Sequence, residues 1–142
     1  MNLLECSTRN KNTYLSLTIV AALFLFCSCA PKINFLTSDV VPAARGYVEI
    51  KKDKNKNNVI SIHLTNLAEV NRLTPPRQTY VIWMMTTDEK MINIGQVKSF
   101  SKNLKASFQT VSSSIPAKII ITAEDDASIV YPSKVILTTN RF

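Results

Sequence analysis

Residues 79–86 read Thr79-Tyr80-Val81-Ile82-Trp83-Met84-Met85-Thr86, six apolar side chains in a row between two threonines. A β-strand turns successive side chains to opposite faces. A run that is apolar at both parities therefore predicts a central strand with something covering each side.

The flanks agree with a strand. Downstream, Thr87-Asp88-Glu89-Lys90 is a polar turn, and Met91 to Lys98 gives a second strand carrying Ile92, Ile94 and Val97. Gly95 inside it marks a bulge or a close backbone approach. Upstream, Pro75-Pro76 removes two backbone donors within Asn66 to Arg77, which predicts an ordered crossing between sheets rather than another ladder strand.

Further out, Gly46 to Lys52 alternates Val48 and Ile50 with Tyr47, Glu49 and Lys51. Asn58 to Asn66 repeats that period of two through Ile60, Ile62 and Leu64, and a lysine and asparagine run joins the pair as a hairpin. Beyond the centre, Leu104, Ala106 and Phe108 form a one-sided strand, and Ala117 to Ala123 forms a buried run ending at Glu124-Asp125-Asp126. Lys134 to Thr139 is the last strand, with Val135 and Leu137 expected on one face. No stretch after Gly46 sustains a helical period. The expectation is an all-β fold of about seven strands, packed as two antiparallel sheets.

The N-terminal residues follow different rules. Arg9 and Lys11 precede an apolar run from Leu15 to Phe26, and small residues surround Cys29. That is the layout of a secretory signal, and the run stops short of the roughly 20 apolar residues of a spanning helix, leaving a signal anchor as the lesser alternative. Leu25-Phe26-Cys27-Ser28-Cys29-Ala30 resembles the lipobox of bacterial lipoproteins, in which a small residue precedes the cysteine that receives diacylglycerol. Cys29 fits this better than Cys27, because Ser28 precedes Cys29 while bulky Phe26 precedes Cys27. The resemblance implies a signal peptide over 1–28, lipid attachment at Cys29 and a membrane-held mature protein. Residues 29–45 are expected to be a tether and 46–142 the sandwich. Ala30, rather than Asp, after the cysteine resembles the outer-membrane default of Gram-negative lipoproteins, facing the periplasm.

Cleavage there removes Cys6 and Cys27, so no disulfide can form within the exported part. It also takes two of the 17 basic residues and one of the 10 acidic ones, lowering the net charge from +7 to +6. Much of that charge lies in Lys51, Lys52, Lys54 and Lys56, read as a solvated hairpin loop that offers a contact for anionic surfaces.

Catalytic chemistry finds little support. His63 is the one histidine, and the alternation turns it away from Ile62 and Leu64, as a surface or inter-sheet residue. No Gly-x-Ser-x-Gly elbow accompanies the many serines. Glu124-Asp125-Asp126 lacks the spaced donors of a calcium loop and reads as a solvated turn. Trp83 and Tyr80 are expected to fill the space between the sheets rather than form a sugar-stacking platform. Basic and aromatic residues are not interleaved as nucleic-acid binding requires. Neither enzyme activity, a cofactor nor a metal is expected.

One further likeness is spread along the domain. The order Asn66-Leu67, Tyr80-Val81-Ile82-Trp83, Asn93-Ile94-Gly95, Phe108, Ile121-Thr122-Ala123-Glu124 and Pro132 before Val135-Ile136-Leu137 resembles the extracytoplasmic domain of the anti-sigma-K factor family. The resemblance implies an immunoglobulin-like β-sandwich and an envelope-facing sensing or interaction role. Those regulators also carry a cytoplasmic sigma-binding domain and a transmembrane helix that find no counterpart here, so sigma-factor binding is not carried over. The expected function is a lipid-anchored protein-interaction or sensory module, with an envelope protein as partner. The alternative is a lipoprotein that binds envelope glycans or anionic lipids.

Overall fold

The computed structural model describes residues 30–97 and 104–142. The signal peptide assigned to 1–28 and the lipid site at Cys29 lie outside the described residues. Eight strands follow in chain order: β1 Lys32–Asn34, β2 Arg45–Lys52, β3 Asn58–Thr65, β4 Thr79–Thr86, β5 Met91–Val97, β6 Ala106–Ser112, β7 Pro116–Glu124 and β8 Lys134–Thr138. They form two four-stranded antiparallel sheets, β1-β2-β3-β6 and β5-β4-β7-β8.

The order is that of an immunoglobulin-like sandwich. Strands β2, β3 and β6 occupy the places of A, B and E, while β5, β4, β7 and β8 occupy those of C′, C, F and G. The expected all-β fold is therefore the observed one, and β1 is an additional strand beside β2.

That extra strand corrects the tether. Lys32, Ile33 and Asn34 pair with Glu49, Val48 and Tyr47, and Phe35, Val41 and Ala44 are buried in the core. The segment is structured because its apolar side chains are removed from water, each by an amount worth about 2 kcal/mol for a full-sized residue. The sandwich begins at Lys32, not at Gly46.

Strand β4 is central, between β5 and β7, and its two faces enter different clusters. Tyr80, Ile82 and Met84 face β3 and β6 across the main core, which also holds Val48, Ile60, Ile62, Leu64, Leu67, Ile119, Ile121 and Leu137. Val81 and Trp83 face outward and join Ile120 under Ala127 and Ile129. Tyr80 thus lies between the sheets as expected, whereas Trp83 does not. It is fully buried on the outer side of its sheet, where its indole N–H donates to Thr122 Oγ1 at 2.8 Å.

The crossing from β3 to β4 contains a short 3-10 turn at Val70–Arg72 and a cis Thr74–Pro75 bond. It is pinned to the core by Leu67 and by the Tyr80 hydroxyl, which donates to the Ala68 carbonyl at 2.8 Å. In β5 the register against β4 shifts between Ile82 and Trp83, opposite Gly95 and Asn93. In β8 a similar shift leaves Val135 exposed and buries both Ile136 and Leu137, so the simple alternation expected for this strand does not hold. Among the described residues no helix is long and apolar enough to cross a membrane.

Candidate functional site

The hairpin between β2 and β3 closes with Lys52 opposite Asn58. Its tip is ordered by one carboxylate. Asp53 Oδ1 accepts the backbone N–H of Asn55 and of Asn57, each at 2.8 Å, and Oδ2 accepts the Asn57 side-chain amide at 3.1 Å. Lys56 takes a left-handed conformation, φ 65°, while its N–H donates to the Asp53 carbonyl. Some desolvation pulls the Asp53 carboxyl upward, but the amide donors of Asn57 and Asn55 and the charge of Lys52 outweigh it and hold the group below its ordinary range.

That closed turn holds Lys51, Lys52, Lys54 and Lys56 on one exposed tip. The four lysines singled out in the sequence are therefore brought together. Lys51 is partly answered by Glu49 at 3.7 Å.

The outer face of β1-β2-β3-β6 is a second feature. Tyr47 stands opposite His63 across the β2–β3 ladder, ring centroids 5.0 Å apart, and the Lys32 ammonium lies 4.4 Å from the Tyr47 ring centre. Shallow depressions surround this pair, lined by Arg45 and Thr65 on one side and by Ser61, Ser107 and Gln109 on the other. His63 is exposed on this face, a surface histidine with an aromatic neighbour. Tyr47 was not singled out in the sequence, although the hairpin register that places it beside His63 follows from the two alternating runs. Among the described residues no group of three or more His, Cys, Asp and Glu side chains is placed to hold a metal ion.

The rims of the sheets differ in how they are closed. On one side β1 and β8 are joined by the bridge between Phe35 and Thr139 and by Leu36 N–H on the Thr138 carbonyl at 2.8 Å. On the other side β5 is broken by its bulge at Gly95, while β6 is a regular terminal strand paired on one edge with β3. Its residues, Ala-Ser-Phe-Gln-Thr-Val-Ser, include no proline and no charge. Long, regular, uncharged edges are the ones that accept another strand.

Glu124 departs from the solvated turn expected at Glu124-Asp125-Asp126. It is buried, 3% exposed, and its carboxylate accepts the backbone N–H of Ser133 at 2.9 Å and the Ser133 hydroxyl. Asp125 and Asp126 are solvent-facing, Asp125 paired with Arg77 and Asp126 capping Ser128. The backbone and hydroxyl of Ser128 hold the Asp126 carboxyl below its ordinary range. These groups fasten the 125–133 segment over Trp83 instead of forming a binding loop.

Comparison of the chain with family models, with curated proteins and with solved structures finds no match.

Proposed function

We propose that the chain is a lipid-anchored protein of the bacterial cell envelope, acylated at Cys29, whose sandwich is a non-catalytic protein-interaction module. The observation that carries the interaction role is strand β6, a seven-residue uncharged terminal strand. The other rims are guarded by the Gly95 bulge in β5 and by the β1–β8 bridge. A partner in extended conformation adds to such an edge through main-chain hydrogen bonds, and the side chains alongside set specificity. Ser107, Gln109 and the Tyr47–His63 pair lie on the adjoining face and are the groups a partner meets next. The anchor is supported by the lipobox-like stretch that ends at Cys29.

Crosslinking in intact cells, followed by recovery from solubilised membranes, tests the interaction. The expected result is a discrete partner that is lost in the Ser107→Lys/Gln109→Lys variant, which charges the edge without touching the core. Recovery of the protein alone at native expression overturns the role. Intact mass of the membrane-extracted protein tests the anchor, with lipid mass expected and its loss expected in Cys29→Ala. A control indistinguishable from the parent would overturn it.

A further inference from the structure

The end of the sandwich that carries the lysine hairpin gathers more than lysines. Strand register brings four segments there: the β2–β3 tip, the β4–β5 turn after Thr86, the β6–β7 turn before Pro116, and the residues after β8. They are stitched into one platform. Asn58 Nδ2 donates to the Ser114 carbonyl at 2.9 Å, Thr87 N–H to the Ile115 carbonyl at 3.2 Å, Arg141 Nη2 to the Thr87 carbonyl at 3.2 Å, and Phe142 N–H to the Ala117 carbonyl at 2.9 Å.

The chemistry of this platform is two-fold. Lys52, Lys54, Lys56 and Lys90 are exposed on it. Of the acids at this end Asp88 is exposed, Asp53 is engaged by the hairpin's own amides and Glu89 is paired with Arg141, so the cations outnumber them. Beside these cations stand exposed apolar side chains, Ile115 at 59% and Phe142 at 43%. Cations around solvent-facing aliphatic and aromatic groups suit a surface that is anionic outside and apolar just beneath.

The strand direction supplies the second argument. Strand β1 enters the sheet at Lys32, opposite Glu49, so the chain before it leaves toward this same end. Cys29 precedes Lys32 by three residues, a reach of about 10 Å when extended. Glu49 is as far from Lys52 along β2. A lipid on Cys29 therefore draws the platform, and no other end of the domain, down to the bilayer.

From this we infer that the end formed by the β2–β3 hairpin, Lys90, Ile115 and Phe142 docks on an anionic bilayer, its lysines on lipid phosphates and its apolar side chains in the headgroup layer. The inference rests on the lipid anchor proposed above and adds an orientation. The sandwich stands end-on, with β6 running along the membrane normal and the β3–β4 crossing, together with the end of β7 at Glu124, on the side away from the bilayer. The diacylglyceryl anchor fixes residence at the membrane, and a basic patch beside it fixes the pose.

The test uses the acylated mature protein extracted from membranes, carrying a polarity-sensitive label on Asn55→Cys or, separately, on Tyr131→Cys. Each protein is reconstituted into vesicles of phosphatidylcholine with or without about one third phosphatidylglycerol. The expected result is a blue shift of the Asn55→Cys label in the phosphatidylglycerol vesicles only, reversed by salt, with the Tyr131→Cys label unchanged. Lys52→Gln/Lys54→Gln/Lys56→Gln should weaken the docked state by roughly fivefold per lysine. A hairpin label that stays in water on protein of confirmed lipid mass overturns the docking and spares the anchor. Equal shifts of both labels overturn the end-on pose. Absence of lipid mass overturns the anchor and, with it, this inference.

Discussion

Gly95 lies directly over the ring of Phe108. A β-carbon at Gly95 would stand 2.7 Å from both Cε2 and Cζ of that ring, and the glycine has φ +142°. The contact joins the edge of one sheet to the edge of the other, since Gly95 sits in β5 and Phe108 in β6. The bulge in β5 follows from it: the strand bends to lay bare backbone, not a side chain, against the aromatic ring.

Gly95→Ala is accordingly expected to cost about 3 kcal/mol, from a backbone conformation that L residues rarely adopt and from overpacking against Phe108. Denaturant unfolding measures it. Phe108→Leu in the same chain should return part of the loss, so the two changes are non-additive. Full additivity would show that the ring is not what Gly95 accommodates.

The Glu124 carboxylate holds Ser133 and so fastens the 125–133 segment across Trp83. Glu124→Ala leaves two Ser133 donors without their partner and is expected to destabilise by about 2 kcal/mol. The chain has a single tryptophan, so its fluorescence reports on that cover. In the parent protein acrylamide should barely quench it; in Glu124→Ala quenching should rise before global unfolding. Unaltered protection would mean that the segment is held by other contacts.

Tyr80 is the pH-sensitive member of the core. Burial raises its hydroxyl from 10.0 to about 12. A folded-state value above the unfolded one means the folded protein keeps a proton that the unfolded chain gives up. The stabilisation is therefore complete below pH 10 and is lost progressively as pH climbs from there toward about 12. Urea midpoints across that window should fall, and Tyr80→Phe should flatten the decline while costing about 1 kcal/mol at neutral pH for the lost bond to Ala68.

How far the residues alone could have led is clearest from particular strands. Where one face is buried and the other wet, as along Ile60, Ile62 and Leu64, the period of two is unambiguous and predicts strand, face and hairpin register together. Trp83 and Glu124 escaped because their environment comes from the 125–133 segment, whose opening acids read as a polar turn while Ala127 and Ile129, which cover Trp83, are too few to carry a periodic signal. Val135 escaped because a bulge shifts parity by one residue, and its cause is geometric pairing with β7. The 32–44 segment escaped because its apolar residues, Phe35, Val41 and Ala44, are spaced irregularly and carry no periodic signal. The lysine cluster was visible as composition, but its neighbours at the same end, Ile115, Lys90 and Phe142, are scattered over the chain and meet only through topology.

The hairpin tip offers the last check, because its order and its charge depend on the same residue. Asp53 accepts from Asn55 and Asn57 only as a good acceptor, and those bonds together with Lys52 hold its carboxyl below the ordinary 3.8. A depressed folded-state value means the turn's contribution is complete above the unfolded carboxylate range and disappears as pH falls through the lower, folded one. The amide resonances of Asn55 and Asn57 should titrate together, with a midpoint below 3.8. Asp53→Asn keeps an acceptor oxygen and should preserve the closed turn while raising the positive charge of the tip. Asp53→Ala should open the tip, with amide exchange at both asparagines quickening and the rest of β2 and β3 unaffected. If both variants leave exchange at Asn55 and Asn57 as it was, the carboxylate is not what orders the lysines, and their common presentation needs another cause.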